Sequence, residues 1–535
     1  MSFPDRTGYG KMRGMTLPRL PRPSDLSRRS FLAASATGAA ALSLGAAATS
    51  APALVRTGRP RIPSGVAAGD VMPRSAVLWS RADRPGRMIV DLTRNGRFDQ
   101  AVRIRGRRTD ARLDFTSELS LSHLRPGQRY DYRIAFEGED GLGQREYGSF
   151  RTPALDRRRA VSLVWTGDTA GQGWGINPDI GGMTAYTTML ETEPDFFLHS
   201  GDTIYADGPI TESVTLPDGR VWHNVVTQEV TKVAETLDEF RGRYKYNLLD
   251  DNVRAFNAAV PIVAQWDDHE TTNNWYPGEI LTDERYTERR VDVLARRAHR
   301  AFSEYMPLSG SGNPRRERIH RTVRYGALLD VFCLDMRTFR DENPLPTEVA
   351  ETPILGRAQA RWLVDEMAAS TATWKVVASD MPIGLLVPDG DRIEAVANGL
   401  PGVPQGRESE IAWVLRELKR RRVRNVVWLT ADVHYCAAHH YDPARATLPD
   451  FDPFWELVAG PINAGTFGPG QLDPTFGPRV AFSKVADFPN QSPLDGNQFF
   501  GHVRIDPRTQ VFEASLRDSF GAVLWSQDIE PVRRS

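Results

Sequence analysis

Four apolar runs in this chain each end in a carboxylate or a histidine, and no other feature restricts the fold as much. Val161–Asp168 reads VSLVWTGD and Pro194–Gly208 reads PDFFLHSGDTIYADG. Ala259–Glu270 reads AVPIVAQWDDHE, and Asn425–His434 reads NVVWLTADVH. Short runs of bulky residues bounded by Gly and Asp suit strands buried on both faces, as in a parallel α/β sheet. An acid just beyond such a strand stands where open α/β sheets bind ligands. Asp202 follows the Ser200-Gly201 break, and Tyr205 lies three residues on, within reach of the same point. Converging anionic oxygens are what a hard multivalent cation needs. Taken alone, Asp202 could equally cap a turn or a helix.

The segments between these runs predict helices. Met183–Glu193, Val230–Leu249, Arg290–Tyr305 and Glu408–Arg420 carry helical patterning, with Phe240, Tyr244 and Leu248 at four-residue spacing. LLDVFCLDMR and WKVVASDMP supply two more strands with acids near their ends. Residues 60–153 differ. Ser75–Ser80, Met88–Leu92 and Tyr130–Ile134 are short β-type runs separated by turns such as Asn95-Gly96 and Pro126-Gly127. This spacing predicts a small β-sandwich. LRPGQRYDYRI resembles the late strands of a fibronectin type III-like domain, which GSFRTP closes. A chain of 535 residues is too long for one core. The expected division is a sandwich over 58–155 and an α/β domain over 160–535.

Residues 1–26 are rich in Pro and Arg without apolar periodicity and read as a disordered extension, with Met15 an alternative start. Ser27–Ala53 begins with Arg28-Arg29, followed by Phe31-Leu32 and a mildly apolar Ala-rich run. That pattern predicts a twin-arginine signal peptide, with Ala46-Ala47-Ala48 and Ala51-Pro52-Ala53 as cleavage candidates. The run is too rich in Ala, Gly, Ser and Thr for a stable membrane anchor. The expected location is outside the cytoplasm: periplasmic, cell-wall or secreted. A net charge of −1 argues against specific nucleic-acid recognition. Two cysteines, Cys333 and Cys436, make no disulfide scaffold and no CxxC site, and buried thiols are expected.

Asp168, Asp202 with Tyr205, Asp268-His269 and Asp432 with His434 could all meet at one sheet edge. A pair of ions held about 3.5–4 Å apart by a bridging carboxylate and terminal ligands is the economical use of so many acids. Asp380 reads as a further ligand or a strand-end cap. Arg337 and Arg340 could grip phosphate bidentately or serve structural salt bridges. Trp174, Trp275 and Tyr276 read as cleft walls or core, and His439 and His440 as outer groups. Neither a GxSxG elbow nor a P-loop occurs.

GD-x-x-Y, WDDHE, the DVH element and LDMRTFRD (Leu334–Asp341) resemble the PhoD-type alkaline phosphatases, a branch of the calcineurin-like metallophosphoesterases. The resemblance implies a four-layer αββα catalytic domain that hydrolyses phosphate esters through attack by a metal-bound hydroxide. It also implies that Asp202 bridges two metals, with Asp168, Tyr205 and His434 on one and Asp268 and Asp432 on the other. His269 would contact phosphate or protonate the leaving group, and Asn273 or Asn274 would supply the amide that the wider superfamily carries where Asp268 stands. The centre implied is dinuclear or trinuclear, with iron and calcium. Asp168 takes the place of a family Cys, a harder donor than thiolate. Substrates implied are small-molecule or lipid phosphate esters, and the translocation partner is the twin-arginine machinery. A phosphodiesterase or phospholipase of the same fold is the first alternative, and an exported non-catalytic binding protein the second. Pro461–Phe500, rich in Gly and Pro, reads as a loop that could cover the cleft.

Overall fold

The computed structural model describes residues 58–310, 318–400 and 402–533. The expected extension (1–26) and signal (27–53) lie outside the described residues.

Two large mixed sheets dominate. One has nine strands in the order Val523–Ile529, Phe512–Asp518, Phe499–Ile505, Val161–Thr166, Phe196–His199, Ile262–Ala264, Val66–Met72, Ser75–Arg81 and Thr116–Leu121. Its centre is parallel: Phe196–His199 pairs in parallel with both Val161–Thr166 and Ile262–Ala264. The other has seven strands, Arg321–Arg324, Leu329–Cys333, Trp374–Ala378, Val426–Thr430, Phe454–Val458, Cys436–Tyr441 and Pro478–Lys484, with a parallel run from the second to the fifth.

Side-chain alternation explains why the central strands read as unbroken apolar runs. Leu163, Trp165 and Leu198 point into one core together with Val331, Cys333, Val376, Val427 and Leu429 of the other sheet. The intervening residues face outward. Phe332, Val377 and Trp428 join Leu363, Val364, Val414 and Leu415 of helices Gly356–Ala369 and Glu408–Arg420. Phe197 meets Tyr186 and Phe256 edge-on, from helices Ala185–Glu191 and Asp251–Ala259. Both faces are thus covered, and polar positions wait until the strand ends. Cys333 and Cys436 are free, buried thiols of the shared core.

The N-terminal strands form a second packing unit. A five-stranded sheet (Gly86–Thr93, Val102–Thr109, Arg129–Gly138, Gly141–Leu142, Glu146–Arg151) packs its Met88, Val90, Tyr132, Ile134 and Phe150 against Val66, Ala68 and Leu78. Tyr130 and Tyr132, two residues apart, face the same core, as strand alternation requires. The partner sheet is the far edge of the nine-stranded sheet, because Val66–Met72 pairs in parallel with Ile262–Ala264 at Gly69↔Ile262. A Cβ at Gly69 would stand 2.9 Å from the Ile262 carbonyl oxygen and closer still to Pro307, so only glycine admits this contact.

Candidate metal centre

The acid-terminated runs deliver their donors within four residues of strand C-termini, from both large sheets. Asp168, Asp202, Asp267 and Asp268 come from the nine-stranded sheet, and Asp380, Asp432 and His434 from the seven-stranded one. There the backbone enters the left-handed region: φ is 66° at Asp168, 51° at Asp202, 65° at Asp432 and 54° at His434. Asp tolerates this region better than most residues, yet each instance costs about 1–3 kcal/mol and clusters where side chains are being aimed. Gly201, at φ 104°, also makes a close approach, since a Cβ there would stand 2.5 Å from Asp267 Cβ.

Three donor groups result, each with ligand atoms within 4.8 Å of one another: Asp168, Asp202 and His434; Asp202, Asp268 and His269; Asp267, Asp268 and Asp432. Asp202 and Asp268 each belong to two groups, so the three form a continuous chain. The Tyr205 hydroxyl lies 2.8 Å from His434 Nε2, which is 3.6 Å from Asp168 Oδ1. His434 Nδ1 faces the Gly465 carbonyl at 2.6 Å, which fixes the proton on Nδ1 and leaves Nε2 as the donor. Burial holds the His434 pKa down at about 4, so the ring is neutral, as a ligand must be.

The electrostatics are those of a site built for cations. Eight buried carboxylates (Asp168, Asp202, Asp207, Asp267, Asp268, Glu270, Asp380, Glu394) and the half-buried Asp432 crowd around Arg337, Arg340 and His269. Burial and then neighbouring acids raise Asp168, Asp202, Asp380 and Asp432, and burial holds Glu270 near 7. Burial would also raise Asp268, but His269 and Arg337 pull it to about 2. Both oxygens of Asp168 and of Asp380, and one each of Asp267 and Asp268, are buried with no hydrogen-bond partner. A buried carboxylate oxygen without a donor is costly unless it binds a cation. These orphaned oxygens, with one neutral imidazole, fit hard to borderline multivalent ions.

Other residues read from the sequence fall in outer positions. Asp380 belongs to none of the three groups and sits 3.5 Å from Arg337 Nε. Arg337 is wholly buried and turned toward carboxylates: 2.5 Å from Asp267, 3.4 Å from Asp432, 3.6 Å from Asp268, and paired with Glu394. Arg340 donates to Asn343 Oδ1 at 2.9 Å and to the Glu394 carbonyl. The Asn274 amide donates to Asp389, while its backbone N–H donates to Asp268 Oδ2 at 2.6 Å. Asn273 is exposed and donates its N–H to Asp207 Oδ2. Trp174 and Trp275 are buried. His439 lies on Glu456 and His440 packs at a tilt beside Trp455, outside the three donor groups.

Four residues carry more than the sequence reading gave them. Asp267 is a donor alongside Asp268. Asp207 Oδ1 lies 2.8 Å from His269 Nδ1; burial would lower that imidazole, but Asp207 and Asp268 raise it to about 10. Glu270 accepts from the N–H groups of Asp202, Thr203 and Asp267, tying two turns together. Glu394 anchors Arg337. Pro461–Phe500 forms one wall: Asn463 O accepts from Ala170 at 2.8 Å, Phe467 meets the His434 ring edge-on, and Asn490 Oδ1 accepts from Trp174 Nε1.

Comparison with known proteins identifies this arrangement. The family model "PhoD-like phosphatase" matches residues 163–516, and "PhoD-like phosphatase, N-terminal domain" matches residues 47–154. Alkaline phosphatase D of Bacillus subtilis (strain 168) is 28% identical over 433 residues, covering 76% of this chain and 70% of that protein. Among solved structures, one titled "Structure of PhoD" aligns at TM-score 0.65 and 21% identity, over 88% of this chain and 92% of that one. The purple acid phosphatase PPD1 from yellow lupin (Lupinus luteus) seeds aligns at TM-score 0.55 and 12% identity, over 88% and 74%. With both family models in chain order over two sheets whose strand ends converge on one acidic cluster, the chain belongs to the PhoD-like phosphatase family and is a phosphoric ester hydrolase.

Proposed function

We propose that this enzyme is a metal-dependent alkaline phosphatase whose centre is held by Asp168, Asp202, Tyr205, Asp268, Asp432 and His434. The observation that carries the reading is the set of buried, partnerless carboxylate oxygens on Asp168, Asp267 and Asp268. Asp202, shared by two donor groups, has the bridging role. Bound cations supply Lewis-acid polarisation of the phosphoryl oxygens and acidify a coordinated water. The chain's own residues do the rest. His269, held by Asp207, donates a proton to the departing oxygen. Arg337 stays on the carboxylates and holds Asp267 and Asp432 in place rather than gripping substrate. Iron with calcium is the proposed metal pair, the Tyr205 phenol favouring a trivalent iron and Asp168 adding a hard oxygen donor.

The architecture we infer is a four-layer αββα domain over 160–535, preceded by a fibronectin type III-like sandwich over 58–155. Export follows the twin-arginine route through Arg28-Arg29. Among the described residues no helix is long and apolar enough to cross a membrane. Asp202→Ala is expected to lower hydrolysis of a chromogenic phosphate monoester at least about a hundredfold and to bind less metal by elemental analysis. Full activity with full metal content in that variant would refute the bridging role. Export is tested separately: Arg28→Lys with Arg29→Lys should leave the enzyme in the cytoplasm, and unchanged export would reject the route.

A further inference from the structure

At the edge of the seven-stranded sheet remote from the metal centre, a cavity of about 320 Å³ is lined by six cationic side chains and no carboxylate. They are Arg157, Lys375, Arg421, Arg422, Arg424 and Arg533. The whole chain balances 67 Lys and Arg against 68 Asp and Glu, so this lining departs sharply from the average surface. Lys375, buried on the floor, donates to the Ala372 carbonyl at 2.6 Å. Arg421 reaches Asp365 and Glu417, and Arg424 reaches Asp452, all acids outside the lining. Arg157, Arg422 and Arg533 are exposed and form no ion pair among the described residues. Exposed Thr371 adds a neutral hydroxyl to the wall, while the Ser370 hydroxyl donates to Asp330 and the Asn425 amide to the Thr373 and Val532 carbonyls.

The cavity is not an annex of the metal centre. Strands Trp374–Ala378 and Val426–Thr430 begin at the cavity and lead to Asp380 and Asp432 at their other ends. Five strand residues span roughly 17 Å. A single phosphate group cannot touch both places.

We propose that this cavity binds a phosphate-bearing anion independently of the metal centre. Guanidinium groups match phosphate oxygens bidentately, and a concave wall of one sign concentrates the potential. The chemistry is the same whether the phosphate is free or the headgroup of a lipid at an anionic surface. Amide hydrogen exchange of the metal-loaded enzyme, with inorganic phosphate and separately with phosphatidylglycerol vesicles, tests the proposal. Protection of segments 371–375 and 421–425 is expected with at least one probe. Phosphate alone would mark a small-anion site, and vesicles alone a surface-docking site. Protection with neither overturns the proposal. In an Arg157→Glu, Arg422→Glu, Arg533→Glu variant the response should vanish, with the affinity lowered about tenfold or more, while kcat on a chromogenic ester stays unchanged. The same protection in the variant also overturns it. Arg422→Gly serves if the triple variant fails to fold: φ is 56° there, which glycine adopts without strain, so the charge is deleted while the turn is kept.

Discussion

Asp168 carries the sharpest residue-scale prediction, because its two oxygens are buried without hydrogen-bond donors. In protein stripped by a chelator, Asp168→Asn removes a group that burial and Asp267 drive toward protonation, so the variant should melt higher than the parent, by about 1–3 kcal/mol. In metal-loaded protein the order should reverse, because a ligand to an ion that binds only the folded state is lost. Paired calorimetric scans with and without chelator check this, and the same sign in both would show that Asp168 is no ligand. Glu235, in none of the three donor groups, gives a separate test. Burial would raise its carboxyl, but the Thr287 hydroxyl, the Glu288 N–H and Lys232 hold it at about 2, against an ordinary value of 4.5. A depressed folded-state pKa adds stability above pH 4.5 that disappears as pH falls through about 2. The gap in Tm between parent and Glu235→Gln should therefore be constant near neutrality and close on acidification; a gap that widens would contradict the assignment. Much of the site was legible at this scale: Asp168, Asp202, Asp268, Asp432 and His434 each follow an apolar run, and the structure gathers them. Glu394 and Asp207 follow no such run, and adjacent Asp267 and Asp268 cannot be told apart once the strand has ended and alternation no longer sets direction.

Helix ends in this enzyme are decided by single side chains. The sequence reading extends one helix over Val230–Leu249, but the helix spans only Leu237–Asn247, and a second, Asp251–Ala259, follows it. Thr236 starts the first with a capping box: its hydroxyl accepts from Glu239 N, and the Glu239 carboxylate accepts from Thr236 N. Asp250 starts the second, accepting from Asn252 and Val253 N–H groups and from the buried Met183 N–H at 2.8 Å. Apolar spacing carries back across the Thr236 cap through Val230 and Val233, so periodicity alone starts the helix too early. Thr236→Ala should cost about 1 kcal/mol. Asp250→Ala should cost about 2–3 kcal/mol, since it also orphans a buried donor from another segment. Equilibrium unfolding of both variants ranks them, and equal losses would show that the Met183 contact adds nothing.

The two expected domains share a sheet, and this governs how the whole molecule should unfold. Val66–Met72 is both a wall of the N-terminal sandwich and a neighbour of Ile262–Ala264. That pairing rests on a single register point nearly two hundred residues apart in sequence, which no local pattern announces. Buried polar contacts reinforce it. Asp70 pairs with Arg321 of the seven-stranded sheet at 2.8 Å, and that guanidinium also donates to the Ala264 carbonyl. Trp79 Nε1 donates to Glu304 O at 2.7 Å, and Arg81 and Tyr305 meet on Asp114. Removing the N-terminal strands would expose the edge at Ile262–Ala264 and strip the apolar face of Ala258, which packs on the sandwich core. The described part should therefore melt in one calorimetric transition, and a chain truncated to 160–535 should aggregate rather than fold. Asp70→Ala leaves a buried guanidinium without its partner and should lower that transition by about 3–5 kcal/mol without splitting it. Asp70→Leu combined with Arg321→Met should recover part of the loss, because no unpaired charge then remains in the interior. Two resolved transitions in the parent, or a separate early melt of the sandwich in Asp70→Ala, would show that the shared strand does not couple the halves.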